Sequence, residues 1–99
     1  MKFVLFYESE DLIEEQEKMK RFDEVWKNLA KEREITMNPI TPPFAYTDLT
    51  GAIQLVEADN IEDIVALVSY YHEVGRFSVQ PIVEMDQALE VFNQVSELQ

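Results

Sequence analysis

The feature that most constrains this fold is the repeated change of hydrophobic period along a chain of 99 residues. Residues 2–8 (KFVLFYE) are almost continuously apolar and rich in β-formers, which predicts a strand with both faces covered. From residue 11 to residue 34 the apolar side chains, Trp26 among them, recur at helical spacing. Acids precede bases within that segment, as a helix dipole favours. The chain therefore begins with a strand and an amphipathic helix.

The remaining segments continue this alternation. Residues 35–50 hold three of the four prolines, so a strand between Phe44 and Asp48 is expected at a sheet edge, because proline cannot donate to the ladder. Residues 52–58 (AIQLVEA) predict a third strand. A second helix is predicted from a cap at Asn60 to a stop at Gly75. A fourth strand with a proline follows at 76–83, and a last helix at 85–98.

This order predicts one α+β domain over residues 1–99, of ferredoxin-like βαββαβ type with an extra C-terminal helix. With right-handed crossovers, the antiparallel sheet has the strand order 4-1-3-2. That order puts the two strands that contain proline at the edges and the two without proline at the centre. The proline positions therefore agree with the topology.

Two crossover helices cover only one face of such a sheet. The residues expected to face these helices are Phe3, Leu5, Tyr7, Ile53, Leu55, Phe77 and Val79. The opposite face then carries Val4, Phe6, Gln54, Val56, Ser78, Gln80 and Ile82. Because the centre of that face is apolar, we expect the last helix, a second subunit or both to cover it, and a small ligand could bind there. An extra apolar strip on the second helix (Leu67, Tyr70 and Val74) is expected to contact the last helix or a partner subunit.

Charge and composition exclude several classes of partner. Twenty acids against eight bases give a net charge of −12, which argues against nucleic acid and anionic membranes. There is no cysteine for disulfides or thiolate chemistry. The N-terminus lacks the features of a secretory signal, and no apolar run is long enough for a membrane span. We therefore expect a cytoplasmic location.

Few residues qualify as chemical candidates. His72 is the only histidine, so a metal site is not expected; it is either a packed helix-end residue or a general base or haem ligand. Arg76 is expected to pair with an acid such as Glu73 or Glu84, with anchoring of a ligand carboxylate as the alternative. The other candidate ligand-binding residues are Tyr71, Phe6, Gln54 and Gln80. We expect no cofactor.

Three segments together resemble a known family. They are Gly51-Ala-Ile-Gln-Leu-Val-Glu-Ala-Asp59, a helix ending in Tyr71-His72, and Phe77-Ser-Val-Gln-Pro-Ile-Val83. Over about residues 1–92 the chain resembles Domain of Unknown Function family 3303, which implies the dimeric α/β-barrel superfamily, where two ferredoxin-like subunits pack sheet to sheet. Residues 35–48 (ITMNPITPPFAYTD) depart from the Gly/Arg/Trp/His-containing second strand frequent in such proteins, so no site is carried over onto that strand.

Two hypotheses about function remain open. In the first, the chain is a non-catalytic homodimeric module that binds a small ligand or a protein partner. In the second, which the superfamily resemblance suggests, it is a cofactor-independent monooxygenase-like or isomerase-like enzyme, or a haem-handling protein, that uses the pocket between helices and sheet. There His72 would be base or ligand, assisted by Arg76 or Tyr71. The two differ in whether His72 reaches a pocket.

Overall fold

A computed structural model describes residues 1–98 and shows an antiparallel sheet with helices packed on one side. The elements, in chain order, are β1 (Lys2–Glu8), α1 (Gln16–Glu32), β2 (Met37–Pro39), β3 (Phe44–Ala45), β4 (Gly51–Ala58), α2 (Ile61–Tyr71), β5 (Arg76–Ile82) and α3 (Met85–Glu97). This succession confirms the ferredoxin-like α+β arrangement with an additional C-terminal helix.

The sheet follows the predicted order, except that its second strand is divided. The sequence of neighbours is β2-β4-β1-β5, and β3 also pairs with β4. Between β2 and β3, the amides of Ile40 and Thr41 both donate to the Leu55 carbonyl, at 2.8 and 3.3 Å. The Thr41 hydroxyl accepts the Leu55 amide at 3.1 Å. Pro42 and Pro43 follow at once and cannot donate, so the ladder is interrupted there. Among the strands, only the edge strands β2 and β5 contain proline, as predicted.

The register of β4 corrects the expected assignment of its two faces. In an antiparallel ladder, directly paired residues point to the same side. Leu5 pairs with Gln54 and Phe3 with Val56, so Gln54 and Val56 face the helices. Phe6 pairs with Ile53 and Val4 with Leu55, so Ile53 and Leu55 lie on the opposite side, which we call the open face. Because residues 52–58 are apolar on both sides, the sequence did not fix the phase of the alternation.

The core lies between the sheet and α2. Its buried side chains are Phe3, Leu5, Val56, Ala58, Ile64, Leu67, Tyr71 and Val74. Leu67 and Val74 of the strip that was expected to contact α3 or a partner subunit are instead buried in the chain's own core, and Tyr70 packs against it. Tyr70 also reaches α1, where its hydroxyl donates to the Phe22 carbonyl at 3.0 Å.

Helix α1 is shorter than predicted and packs only partly against the core. The Asp11 carboxylate accepts the amides of Ile13 and Glu14, at 2.9 and 3.4 Å, and this local turn takes the place of the first helical turn. No residue of α1 is buried. Trp26, expected in the core, is half-buried at its border.

Helix α3 contributes nothing to the core. None of its residues is buried, and Phe92 is 66% exposed. The radius of gyration of the chain is 16.3 Å, against about 13 Å for a compact domain of this length. The expectation that the last helix covers the open face within one chain is therefore wrong.

Candidate functional site

A cleft of about 490 Å³ lies between α1 and the helix-facing side of the sheet. Sheet residues such as Leu5, Ala52, Gln54 and Val56 form its floor, and α1 contributes one wall. The remaining contributors come from α2, β5 and the segment around β2: Leu67, Tyr71, Phe77, Met37, Pro39 and Pro43. Its volume is within the range of small-molecule sites, and its lining is largely apolar.

Tyrosine hydroxyl groups help to hold α1 to the rest of the fold, beside the packing of its apolar side chains against the core. The Tyr7 hydroxyl donates to Glu15, just before α1, at 2.8 Å. The Tyr71 hydroxyl donates to Asp23 at 2.5 Å, and the Tyr70 hydroxyl donates to an α1 carbonyl. A tyrosine that reaches its partner through the terminal hydroxyl keeps the two backbones further apart than a pair of aliphatic side chains in direct contact. Attachment through tyrosine hydroxyls therefore leaves space between the helix and the sheet.

Tyr7 is positioned by both glycines of the chain. A Cβ on Gly51 would lie 2.1 Å from the Tyr7 carbonyl oxygen, and a Cβ on Gly75 would lie 2.3 Å from its ring. Neither glycine has a positive φ. Gly75 therefore serves close packing against a ring, and the left-handed helix stop that the sequence suggested is not formed.

Burial and nearby carboxylates keep two phenols protonated. Burial, followed by the hydrogen bond to Glu15, raises the pKa of Tyr7 to about 12. Burial and the hydrogen bond to Asp23 raise the pKa of Tyr71 well above its ordinary value. Both hydroxyls therefore act as hydrogen-bond donors throughout the neutral range.

An aromatic cluster borders one end of the cleft. The Trp26 ring centroid lies 5.5 Å from that of Tyr70 and 6.2 Å from that of Tyr71. Phe77 continues the cluster at 5.6 Å from Tyr71 and 5.0 Å from Tyr7. Tilted and edge-on pairs at these distances stabilise one another and fix the ring positions.

Besides the tyrosines, the polar side chains in the lining of the cleft are Gln54, Asp23 and Lys27. Gln54 lines the cleft, and its side-chain amide donates to the Thr41 carbonyl at 3.0 Å, so its side-chain carbonyl oxygen is not used in that bond. Asp23 uses one carboxylate oxygen for Tyr71. Lys27, one turn further along α1, makes no ion pair, since the one salt bridge within residues 1–98 joins Lys2 and Glu84 at 3.1 Å.

The structure separates the residues that the sequence had grouped as candidates. Gln54 and Tyr71 line the cleft. Phe6 and Gln80 belong to the open face, on the other side of the sheet. His72 is exposed just after the end of α2 and does not line the cleft.

Arg76 lies away from the cleft as well. It is exposed at the start of β5, where it borders a shallow depression with Glu8 and Glu10. It pairs with neither Glu73 nor Glu84, since the one salt bridge within residues 1–98 joins Lys2 and Glu84. Two acids next to Arg76 make this depression a poor place for a ligand carboxylate.

Sequence reasoning missed the contribution of α1 to the site. Asp23, an exposed residue of α1 that was not among the candidates, lies beside Met19 and Trp26 in the lining of the cleft. The signal was present in the spacing, because positions 19, 23 and 26 share one helical face. A lone acid within an apolar stripe is the pattern that would have indicated it.

Within residues 1–98, no three or more His, Asp or Glu side chains come together as a group that could hold a metal ion. Over the same residues, no helix has the length and apolar character needed to cross a membrane.

The fold and cleft together define an α+β domain of ferredoxin-like type with a ligand-sized space between helix and sheet. The family model described as a domain of unknown function, DUF3303, matches residues 1–96. The chain belongs to this family. No curated protein and no solved structure matches it.

Proposed function

We propose that the chain is a non-catalytic, homodimeric module that binds a small, largely apolar molecule in the cleft between α1 and the sheet. One observation carries this proposal, the cleft of about 490 Å³ with its apolar floor and few polar groups. Sites of this size and composition are typical of small-molecule binding. The polar contacts available to orient a ligand are Gln54, Asp23, Lys27 and Tyr71.

Trp26 offers a direct test, because it is the only tryptophan and it lines the cleft. Titration with 1-adamantanemethanol, a rigid neutral probe that is transparent where tryptophan absorbs, should give a saturable change in Trp26 fluorescence. Ala52→Leu, which fills the floor, should abolish it, whereas Ser69→Leu on the exposed side of α2 should not. Absence of binding to the wild type, or equal binding to Ala52→Leu, would overturn the proposal.

The homodimer is proposed from the open face. Its apolar side chains are Val4, Phe6, Ile53, Leu55 and Ile82, and Phe44 of the edge strand β3 pairs beside Ile53 with 55% of its surface exposed. The corrected register makes this face more apolar than the sequence indicated, because Ile53 and Leu55 replace Gln54 and Val56. A contiguous apolar face of this kind is typical of an association surface.

Helix α3 extends the same argument. Met85, Leu89, Phe92 and Val95 recur along one side of the helix, and each is more than half exposed. A second copy packed on the open face would bring its own α3 alongside, so that two unpartnered surfaces of each chain would be covered by one symmetric contact. Because each chain carries a charge of −12, the association should strengthen with salt.

Light scattering tests this part of the proposal. We expect a dimer at micromolar concentration in 0.3 M salt, and a monomer for Phe6→Glu, which places a carboxylate on the open face without a partner. Ser69→Glu adds the same charge on the exposed side of α2 and should leave the dimer intact. A monomeric wild type would refute the dimer, and a dimeric Phe6→Glu would refute its location on the open face.

The enzyme or haem-handling alternative keeps one supporting observation. Tyr71 lines the cleft and its hydroxyl donates to Asp23, so a phenol and a carboxylate lie together at the edge of the cavity, as acid–base chemistry would require. His72, the candidate base or haem ligand, is exposed outside the cleft. Titration with haemin distinguishes the proposals: a stoichiometric Soret shift that disappears in His72→Ala would favour haem handling, and its absence would favour the non-catalytic module.

A further inference from the structure

We propose that the cleft selects a cation attached to an apolar body, such as a primary or quaternary alkylammonium. This inference rests on the proposed ligand-binding function and specifies the chemical class of the ligand. It is carried by three features of the same cavity: an aromatic border, a carboxylate with a free oxygen, and the negative charge of the surrounding chain.

The aromatic border is the first feature. Trp26, Tyr71 and Phe77 all line the cleft, and their mutual contacts hold the rings in place. The face of an aromatic ring carries partial negative charge, so a cation within about 6 Å of it is attracted, most strongly by tryptophan. An apolar body can rest at the same time on Leu5 and Val56 of the floor.

The carboxylate of Asp23 is the second feature. Tyr71 occupies only one of its oxygens, and no other side-chain donor within residues 1–98 reaches the second. Asp23 lies in the lining beside Trp26. An ammonium group at the aromatic border can therefore also donate to this free oxygen, which gives it a charge-assisted hydrogen bond.

The overall charge is the third feature, and it decides between a cation and an anion. Lys27 is the only base in the lining and would favour an anion; its side chain, like that of Asp23, is exposed. A cation is favoured by Asp23, by the aromatic faces and by the net charge of −12. A negative field of this kind raises the local concentration of cations and lowers that of anions.

Three matched probes test the inference: 1-adamantylmethylammonium, 1-adamantanemethanol and 1-adamantanecarboxylate, each measured by calorimetry at 0.15 M salt. They share one apolar body and differ in charge. We expect the ammonium to bind at least about tenfold more tightly than the alcohol, and the carboxylate to bind more weakly than the alcohol. If the alcohol or the carboxylate binds as tightly as the ammonium, the preference for a cation is refuted while the proposed function stands. If none of the three binds, the proposed function itself fails.

Variants that each remove one negative charge distinguish the effect of the Asp23 carboxylate from the effect of the net charge of the chain. Asp23→Asn retains an oxygen that can accept the Tyr71 hydroxyl, and it should reduce the preference for ammonium over alcohol several-fold without changing the affinity for the alcohol. Asp86→Asn, on exposed α3, changes the net charge equally and should leave the preference intact. Equal effects of the two variants would refute a specific role of Asp23.

Trp26→Leu provides a second route in case Asp23→Asn disturbs α1. Leucine keeps an apolar side chain in the lining but removes the ring face, so the ammonium should lose more affinity than the alcohol. Equal losses for both probes would show that the aromatic border contributes only apolar area, and would overturn the inference.

Discussion

Gly75→Ala should destabilise the protein, although alanine at a glycine without positive φ ordinarily stabilises by about 0.4–1 kcal/mol. The new Cβ would lie 2.3 Å from Cε2, 2.5 Å from the hydroxyl oxygen and 2.6 Å from Cζ of Tyr7. The Tyr7 ring must therefore move away. Tyr7 is only 5% exposed, so the core offers it little room.

The magnitude follows from what the displaced ring loses. Overpacking of a core typically costs about 1–3 kcal/mol. Displacement also weakens the hydrogen bond from Tyr7 to the Glu15 carboxylate, and a bond to a charged group contributes about 1.5–3 kcal/mol, less where water can replace it. After the gain from the reduced freedom of the unfolded chain, we expect a net loss of about 2–3 kcal/mol in the free energy of unfolding.

A double-mutant cycle measured by urea denaturation at one protomer concentration isolates the cause. In a Tyr7→Leu background the ring is absent, so Gly75→Ala should become neutral or slightly stabilising, with a coupling energy of about 2–4 kcal/mol. Gly51→Ala is the matched control, because its Cβ would meet the Tyr7 main-chain oxygen at 2.1 Å, and Tyr7→Leu does not remove that atom. Our reasoning is wrong if Gly75→Ala costs nothing in the wild type, or costs the same in both backgrounds.

Three further results are expected. Tyr71→Phe removes the hydroxyl that donates to Asp23 and should lower the free energy of unfolding by about 1–2 kcal/mol in urea denaturation; a change near zero would show that the bond is replaced by water without loss. Because the folded pKa of Tyr7 is about 12 and that of Tyr71 is also raised, both phenols stabilise the fold fully below about pH 10, and this contribution should be lost as the pH rises from 10 towards 12. Denaturation curves at pH 9 and pH 11 test this, and equal stability at both would contradict it. His72→Ala, at an exposed position, should change stability by less than about 0.5 kcal/mol and leave binding of 1-adamantanemethanol unaltered; a larger effect on either would mean that His72 has a role that its position does not suggest.

The order of elements could be predicted because each segment carried its own signal. Residues 2–8 were too short and too apolar for anything but a strand, and the helical stripe from Met19 onwards was long enough to identify. The positions of Pro39 and Pro81 indicated the sheet edges for a simple chemical reason, the missing amide hydrogen. These signals are local, so the elements can be predicted from them without knowledge of the tertiary structure.

The faces of β4 and the cleft depended on tertiary contacts. Ile53 and Val56 are equally apolar, and only pairing with β1 decides which of them meets the helices. Gln54 was named as a candidate contact and lines the cleft, but it was expected on the opposite side of the sheet for this reason. The cleft was harder still to predict, because the tyrosine hydroxyls beside it bond to Glu15, 8 residues from Tyr7, and to Asp23, 48 residues from Tyr71.

The attachment of α1 by hydroxyl groups also determines how the domain can open. A helix without a buried residue can detach by breaking the bonds from Tyr7, Tyr70 and Tyr71 and separating the partly buried side chains of Met19, Phe22 and Trp26 from the core. Exposing the amides of β1 and β4, in contrast, requires loss of the whole sheet. Native-state hydrogen exchange should therefore proceed in α1 at a lower free energy than in the central strands. A molecule that bridges α1 and the floor of the cleft would slow exchange of the α1 amides first. Entry of a ligand and the earliest step of unfolding would then use the same movement of one helix.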